Sequence, residues 1–175
     1  LRRFDAQSGL TLRLPWAETP AAITLAGLDL RFDVSRLRGG VAIELRRRLA
    51  FGLGLSLDRL DLDAYLPPGA ALGLPAGGLP ALDLFDANLQ LVIGALTYRG
   101  LPAGGVKFDG TLQGGVLEVR EAGVDQLAGA DLHLFGKLTG VAGTPAIDAQ
   151  LVGRAGDPAA LLRLANMEVP SGLKK

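Results

Sequence analysis

Apolar residues recur at every second position along most of this chain. The run LGLSLDRLDLDAYLP, residues 53–67, shows the habit: leucine trades places with a small or polar residue almost to the end. Alternate residues of an extended chain point to opposite faces. A chain with this period therefore folds into strands that carry one apolar and one polar face. Leu10, Leu12 and Leu14 begin the pattern, followed by Ile23 and Leu25, then Leu28, Leu30, Phe32 and Val34. The apolar parity changes from odd to even at Ala26-Gly27. A β-bulge does this, because one extra residue flips the facing of all that follow. Val41, Ile43 and Leu45 share one parity with Leu49, Phe51, Leu53, Leu55 and Leu57, and Arg46-Arg47-Arg48 between them reads as a turn. Parity flips again at Asp58-Arg59, before Leu60 and Leu62.

The second half repeats the pattern. Leu89, Leu91 and Ile93 give way to Leu96 and Tyr98 across Gly94-Ala95; Val106, Phe108 and Leu112 follow, then Leu117 and Val119, then Leu132, Leu134 and Leu138, then Ile147, Ala149 and Leu151. The pairs Gly39-Gly40, Gly104-Gly105 and Gly114-Gly115 read as hairpin turns, where positive φ is needed. These signals predict an all-β fold: a long, curved antiparallel meander of about nine strands forming an open β-groove. The reading is of one domain over 1–175. Residues 1–66 form a first strand set, the Pro/Gly-dense 67–80 a loop, and 81–156 a second strand set. Asp157 as cap, Pro158 in the first helical position and Leu161, Leu162 and Leu164 predict a short C-terminal helix over 157–168.

Composition narrows the chemistry. Lys plus Arg equals Asp plus Glu, at 18 each, so the basic excess of a nucleic-acid binder is missing. There is no cysteine, which removes disulfides and thiolate metal sites, and His133 is the single histidine. No run of about 18 apolar residues marks a membrane-crossing helix, and no secretory signal is present. The chain starts at Leu1 and not Met, which reads as a piece of something longer. Asp58, Asp61, Asp63, Asp83, Asp86, Asp109, Asp125, Asp131 and Asp148 raise calcium or acid–base chemistry. They lie on or beside extended runs and not in one short ligand loop, so the reading is a solvated sheet face. His133, between Leu132 and Leu134, is expected to face water. Arg46-Arg47-Arg48 is read as a solvated turn, with contact to anionic head groups as its functional alternative. No serine sits in a nucleophile elbow, and no glycine cluster fits a phosphate loop. Trp16 is expected to pack within a loop. The reading is of a protein that is not an enzyme, with no metal and no cofactor.

The apolar face is what remains. Its candidate lipid-contacting residues are Leu28, Leu30 and Phe32 in one strand and Leu53, Leu55 and Leu57 in another. Leu89, Leu91 and Ile93 continue it, with Val106, Phe108, Leu117 and Val119, and then Leu132, Leu134, Ile147 and Leu151. Aromatics are only 5% of the chain, so leucine, alanine and valine must fill whatever this face adjoins. Two arrangements stay open: two sheets closed into a sandwich, as in a structural domain of a surface or adhesin-type protein, or an open groove holding acyl chains. An outer-membrane barrel segment ranks third, since aromatic girdles are missing.

The stretch RRRLAFGLGLSLDRLDLDAYLP resembles the part of AsmA-like proteins in which an arginine-containing turn leads to a strand ending Leu-Asp-Leu-Asp-x-Tyr-Leu, here Leu60, Asp61, Leu62, Asp63, Tyr65 and Leu66. The later order Gly100-Leu101, Gly115, Leu117, Leu127-Ala128-Gly129 and the closing DPAALLRL are similar to the family's C-terminal region, although Ala130 stands where a second glycine is common. The resemblance implies a β-groove related to bridge-like lipid-transfer proteins, with phospholipid acyl chains as partners and envelope proteins as further ones. It also implies the periplasm of a Gram-negative bacterium, a parent anchored in the inner membrane, and a role in outer-membrane biogenesis or integrity.

Overall fold

The computed structural model describes residues 4–15, 20–66, 79–127, 129–141 and 143–156. Nine strands follow the chain in order: β1 (Phe4–Arg13), β2 (Ala21–Phe32), β3 (Ser35–Leu45), β4 (Leu49–Asp61), β5 (Phe85–Tyr98), β6 (Leu101–Gln113), β7 (Val116–Leu127), β8 (Ala130–Thr139) and β9 (Ala146–Ala155). They form one sheet in the same order, β1 to β9, with β1 and β9 at its edges. The sheet is open, and at about 4.8 Å per neighbour it measures roughly 38 Å across the strands. The expected all-β open sheet of nine strands is what the chain forms. Two short 3-10 turns, Leu62–Ala64 and Pro80–Asp83, flank the link between β4 and β5.

One pairing departs from an antiparallel meander. β4 and β5 run parallel, with Leu49 opposite Phe85 and Asp61 opposite Thr97. Parallel neighbours need a connection that carries the chain back along the sheet, of a dozen residues or more. The segment between Asp61 and Phe85, which contains the Pro/Gly stretch, serves that purpose. The predicted loop over 67–80 lies mostly outside the described residues, and Pro80 opens the second 3-10 turn. The helix expected over 157–168 and the packing of Trp16 also lie outside them.

The parity changes appear where the sequence placed them. Between β2 and β3 the register shifts from Leu25↔Val41 to Leu28↔Gly39, so Ala26-Gly27 is a bulge, and Gly27 takes φ +62° there. At Asp58 and Gly94 the two parallel strands change parity side by side, and their register stays constant on either side, from Leu57↔Ile93 to Arg59↔Ala95 and Leu60↔Leu96. The strands crowd at that level: a Cβ on Gly94 would stand 2.7 Å from the Asp58 carbonyl oxygen. A side chain at 94 would push the parallel pair apart.

Two glycine pairs are not turns. Gly39-Gly40 lies inside β3, opposite Leu55 and Gly54, and Gly104-Gly105 lies inside β6. Only Gly114-Gly115 joins two strands, both residues with positive φ. Gly105 also has positive φ (+58°) and sits where the β6–β7 register breaks between Gly104 and Lys107. The same conformational freedom serves a turn in one place and an irregular strand in the other.

One end of the apolar face is closed. Ala87, Leu112 and Val141 are buried there, with Phe51, Leu82, Phe85, Leu89, Leu117 and Leu138 packed around them. Phe51 and Phe85 meet edge to face, with centroids 5.1 Å apart. The Leu79 N–H donates to the Val141 carbonyl at 2.6 Å, which pins the approach to β5 against the β8–β9 connection. This end holds the turns β3–β4, β6–β7 and β8–β9 and is called the proximal rim below. The turns β2–β3, β5–β6 and β7–β8 form the distal rim.

Candidate functional site: one apolar face across nine strands

Residues opposite one another in register share a face, so the pairing defines rows of side chains that cross the sheet. One row runs Leu10, Leu25, Val41, Leu53, Leu89, Gly110, Val119, Gly136 and Ala149, one residue from each strand. A second runs Leu28, Gly39, Leu55, Leu91, Phe108, Ala122, Leu134 and Leu151. A third joins Leu30, Leu37, Leu57, Ile93 and Val106. The bulges keep these rows continuous: without the extra residue at Ala26-Gly27, Leu28 and Leu30 would turn to the opposite face from Leu25. Phe32, opposite Ser35, Leu117, opposite Leu112 and Leu138, Leu132, opposite Val124, and Ile147, opposite Leu138, lie on the same face. The structure therefore brings all seventeen sequence-derived candidates together on one surface. Leu10, Leu12, Ile23, Leu25, Val41, Ile43 and Phe51 belong to it too, and their alternation is the signal for them; Leu37, which the alternation does not mark, joins it through its pairing with Leu30 and Leu57.

Burial on this face is graded. Leu57 and Ile93, near the middle of the sheet, are 6% exposed, whereas Leu12 and Ile147, at its edges, are 64% and 73% exposed. The gradient follows position in the sheet, because a central strand has neighbours on both sides and an edge strand on one. All nine strands belong to one sheet, so no second sheet faces this surface among the described residues.

The opposite face is mostly polar and internally paired, with Val92, Phe135 and Val152 exposed among its charged residues. The Arg36 guanidinium bonds the Asp29 carboxylate through Nε at 2.7 Å and through Nη2, and it holds that carboxyl below the ordinary carboxylate range. Arg120 reaches Asn88 at 2.9 Å, and also Thr111 and Asp109, spanning three strands. His133 lies on this face, as expected, but it is half-buried: Nδ1 is 3.4 Å from Glu121 and Nε2 3.8 Å from Asp125.

The aspartates do more than face water. Asp63 accepts from the Arg99 and Gly100 backbone N–H groups at 2.7 Å each, closing the β5–β6 turn. Asp58 accepts from the N–H groups of Arg36 and Arg59, both at 2.7 Å. Asp61 caps the first 3-10 turn by accepting from the Asp63 N–H at 3.1 Å. Asp86 receives the Gly114 N–H at 3.2 Å and Arg48 Nε at 3.1 Å, and Asp131 receives the Gln126 N–H at 3.0 Å. The reading as a merely solvated face is corrected accordingly. Turns and bulges leave backbone donors without ladder partners, and these carboxylates supply the acceptors. The Tyr65 hydroxyl completes the distal rim by donating to Asp33 at 3.3 Å; desolvation, then the Asp33 charge, raises its pKa.

Among the described residues, no group of three or more His, Asp or Glu is placed to hold a metal ion, and no helix is long and apolar enough to cross a membrane. The fold and its surface together define a class: one open, mostly antiparallel sheet with a largely polar back and an apolar front, among the described residues. No family model, no curated protein and no solved structure matches the chain.

Proposed function

We propose that the chain is a non-enzymatic lipid-transport or bridging module that holds phospholipid acyl chains along its aliphatic face. The setting is the one the AsmA-like resemblance implies, the cell envelope of a Gram-negative bacterium. One observation carries the reading: rows of Leu, Val, Ile and Phe, interrupted only by Gly and Ala and by no polar residue, cross a sheet that no second layer covers among the described residues. Water against such a face is costly, and acyl methylenes relieve that cost at roughly 0.8 kcal/mol each when fully buried. A chain of about sixteen carbons shielded on one side gains on the order of 6 kcal/mol by that figure. Among the described residues the face carries no polar constellation that would fix one head group, which suits a conduit more than a receptor.

Native mass spectrometry with lipid extraction tests the proposal on the purified 175-residue chain. Phospholipid is expected in fixed stoichiometry, and Leu91→Asp or Leu134→Glu, in the row that spans eight strands, should abolish it. A folded, monodisperse, lipid-free protein that takes up no phospholipid from vesicles would overturn the reading.

A further inference from the structure

The proximal rim differs from the rest of the surface in a way that holding acyl chains along the face does not require. Its last register row on the β1–β5 side runs Ala21, Leu45, Leu49 and Phe85. Leu14, the residue after the end of β1, stands in line with Ala21, since Leu12 pairs with Ile23. Leu14 is 82% exposed, Leu45 50% and Leu49 41%, and Leu84, which leads into β5, is 73% exposed. Four bare leucines thus line about 19 Å of one rim, at four strand spacings.

Arginines stand at the lip of that row. Arg46, Arg47 and Arg48 form the turn between Leu45 and Leu49, and Arg13 adjoins Leu14. Arg46 pairs with Glu44, which Arg13 also approaches at 3.8 Å, and Arg48 is held by Asp86 and by the Asp83 carbonyl. Among the described residues, four arginines stand here against Glu44, Asp83 and Asp86, a balance of one positive charge beside the leucines, and Arg47 projects as an exposed residue at its tip. The distal rim carries charges of both signs, with Arg99 in the β5–β6 turn and Arg36 beside the β2–β3 turn, and it has no row of exposed leucines among the described residues. Its turns carry Asp33, Asp61, Asp63 and Asp131, tied to Tyr65 and to turn N–H groups.

The geometry points to the β1–β5 corner of the proximal rim as a docking edge for an anionic bilayer surface. The leucines enter the head-group boundary, and Arg13, Arg46 and Arg47 meet lipid phosphates. Apolar side chains with flanking basic residues are what interfacial attachment uses, its strength set by buried apolar area plus attraction to anionic lipid. Such docking orients the sheet, with the Asp-bearing rim turned away from the membrane. The inference does not depend on the groove reading, because the rim and the central rows can be altered separately.

Vesicle flotation tests it, with the 175-residue chain and liposomes of phosphatidylcholine alone or with about a third phosphatidylglycerol. Binding is expected to anionic vesicles, to weaken with salt, and to fall about fivefold or more for Arg47→Glu, since each basic residue near an anionic surface contributes about that factor. Leu49→Glu combined with Leu84→Glu should lower it more than tenfold. These residues are exposed, and circular dichroism would show each variant folded. Leu91→Asp should empty the groove and leave flotation unchanged. No flotation with anionic vesicles, while lipid is still found in the purified chain, overturns the docking edge and leaves the groove standing. Flotation lost with Leu91→Asp but kept with the rim variants also overturns it, because attachment would then run through the central face.

Discussion

Removing the Asp63 carboxylate should loosen one hairpin and leave the rest of the sheet in place. Both oxygens are engaged, one by the Arg99 N–H and one by the Gly100 N–H, each at 2.7 Å, across 36 and 37 residues of sequence. Hydrogen bonds to a charged partner contribute about 1.5–3 kcal/mol each where water is excluded. This turn is exposed, and capping carboxylates in exposed places contribute about 0.5–2 kcal/mol. Two bonds from one such group put Asp63→Ala at about 1–3 kcal/mol of lost stability, a fall in Tm of roughly 3–9 °C for a chain of this size. Asp63→Asn should fall between, because its amide offers one acceptor oxygen and turns a donor towards the second N–H. Urea unfolding reads the stability, and amide hydrogen exchange reads the place: protection should drop at Arg99 and Gly100 and persist in the middle of β5. A change below about 0.5 kcal/mol, with both amides still protected, would show that the turn closes without Asp63 and would refute the reasoning.

Three other outcomes are expected. Gly94→Ala forces a methyl to 2.7 Å from the Asp58 carbonyl oxygen and should cost about 1–3 kcal/mol, whereas Gly54→Ala, with nothing within 4 Å, should be neutral or slightly stabilising; equal melting points for the two would contradict the crowding. Leu112→Ala, at a site 2% exposed, should cost about 2–5 kcal/mol, and Leu12→Ala, 64% exposed, under about 0.5 kcal/mol; a reversal in denaturant titrations would mean that the closed end is not the core. The Arg36 hydrogen bond, helped by the charges of Arg36, Arg38 and Arg31, lowers the Asp29 pKa, so the stability this pair adds is present above the ordinary carboxylate value of about 3.9 and disappears as pH falls through the lower folded value. The gap in unfolding midpoint between the native chain and Asp29→Asn should therefore close in acid; a gap independent of pH would assign the difference to packing.

Much of the sheet was legible because its rule is local. Period two marks a strand wherever it occurs, and a parity change marks an irregularity, so Ala26-Gly27 and Gly94-Ala95 could be placed from spacing alone. Strand direction leaves no such mark, since Leu53–Leu57 alternates identically whether β5 runs with it or against it. The one trace of the parallel step was the long Pro/Gly segment, which was read as a divider between two strand sets. Gly39-Gly40 and Gly104-Gly105 misled because a glycine pair reports tolerance of unusual backbone and not the place that needs it. The aspartate contacts were hidden for a different reason. Asp58 meets Arg36 across 22 residues and Asp86 meets Gly114 across 28, so only the assembled sheet shows which turn each carboxylate closes.

The two faces of the sheet now explain each other. Among the described residues the apolar side has no second sheet to hold its shape, so the rigidity of this layer comes from its edges, its back and the one closed end. The Asp-bound turns, the Arg120 and Arg36 networks and the cluster around Leu112 supply it from the rims, the back and the closed end beside Leu89. The front can then remain aliphatic and redundant. Any one Leu→Ala change in the central rows removes a small part of a continuous surface, while a carboxylate at Leu91 meets every acyl chain that crosses the row. Substitutions of these two kinds should therefore separate sharply in lipid retention, with alanine near the native value and aspartate near zero. If alanine at Leu91 alone emptied the chain, the face would be a discrete site, and the conduit reading would have to give way to that of a receptor.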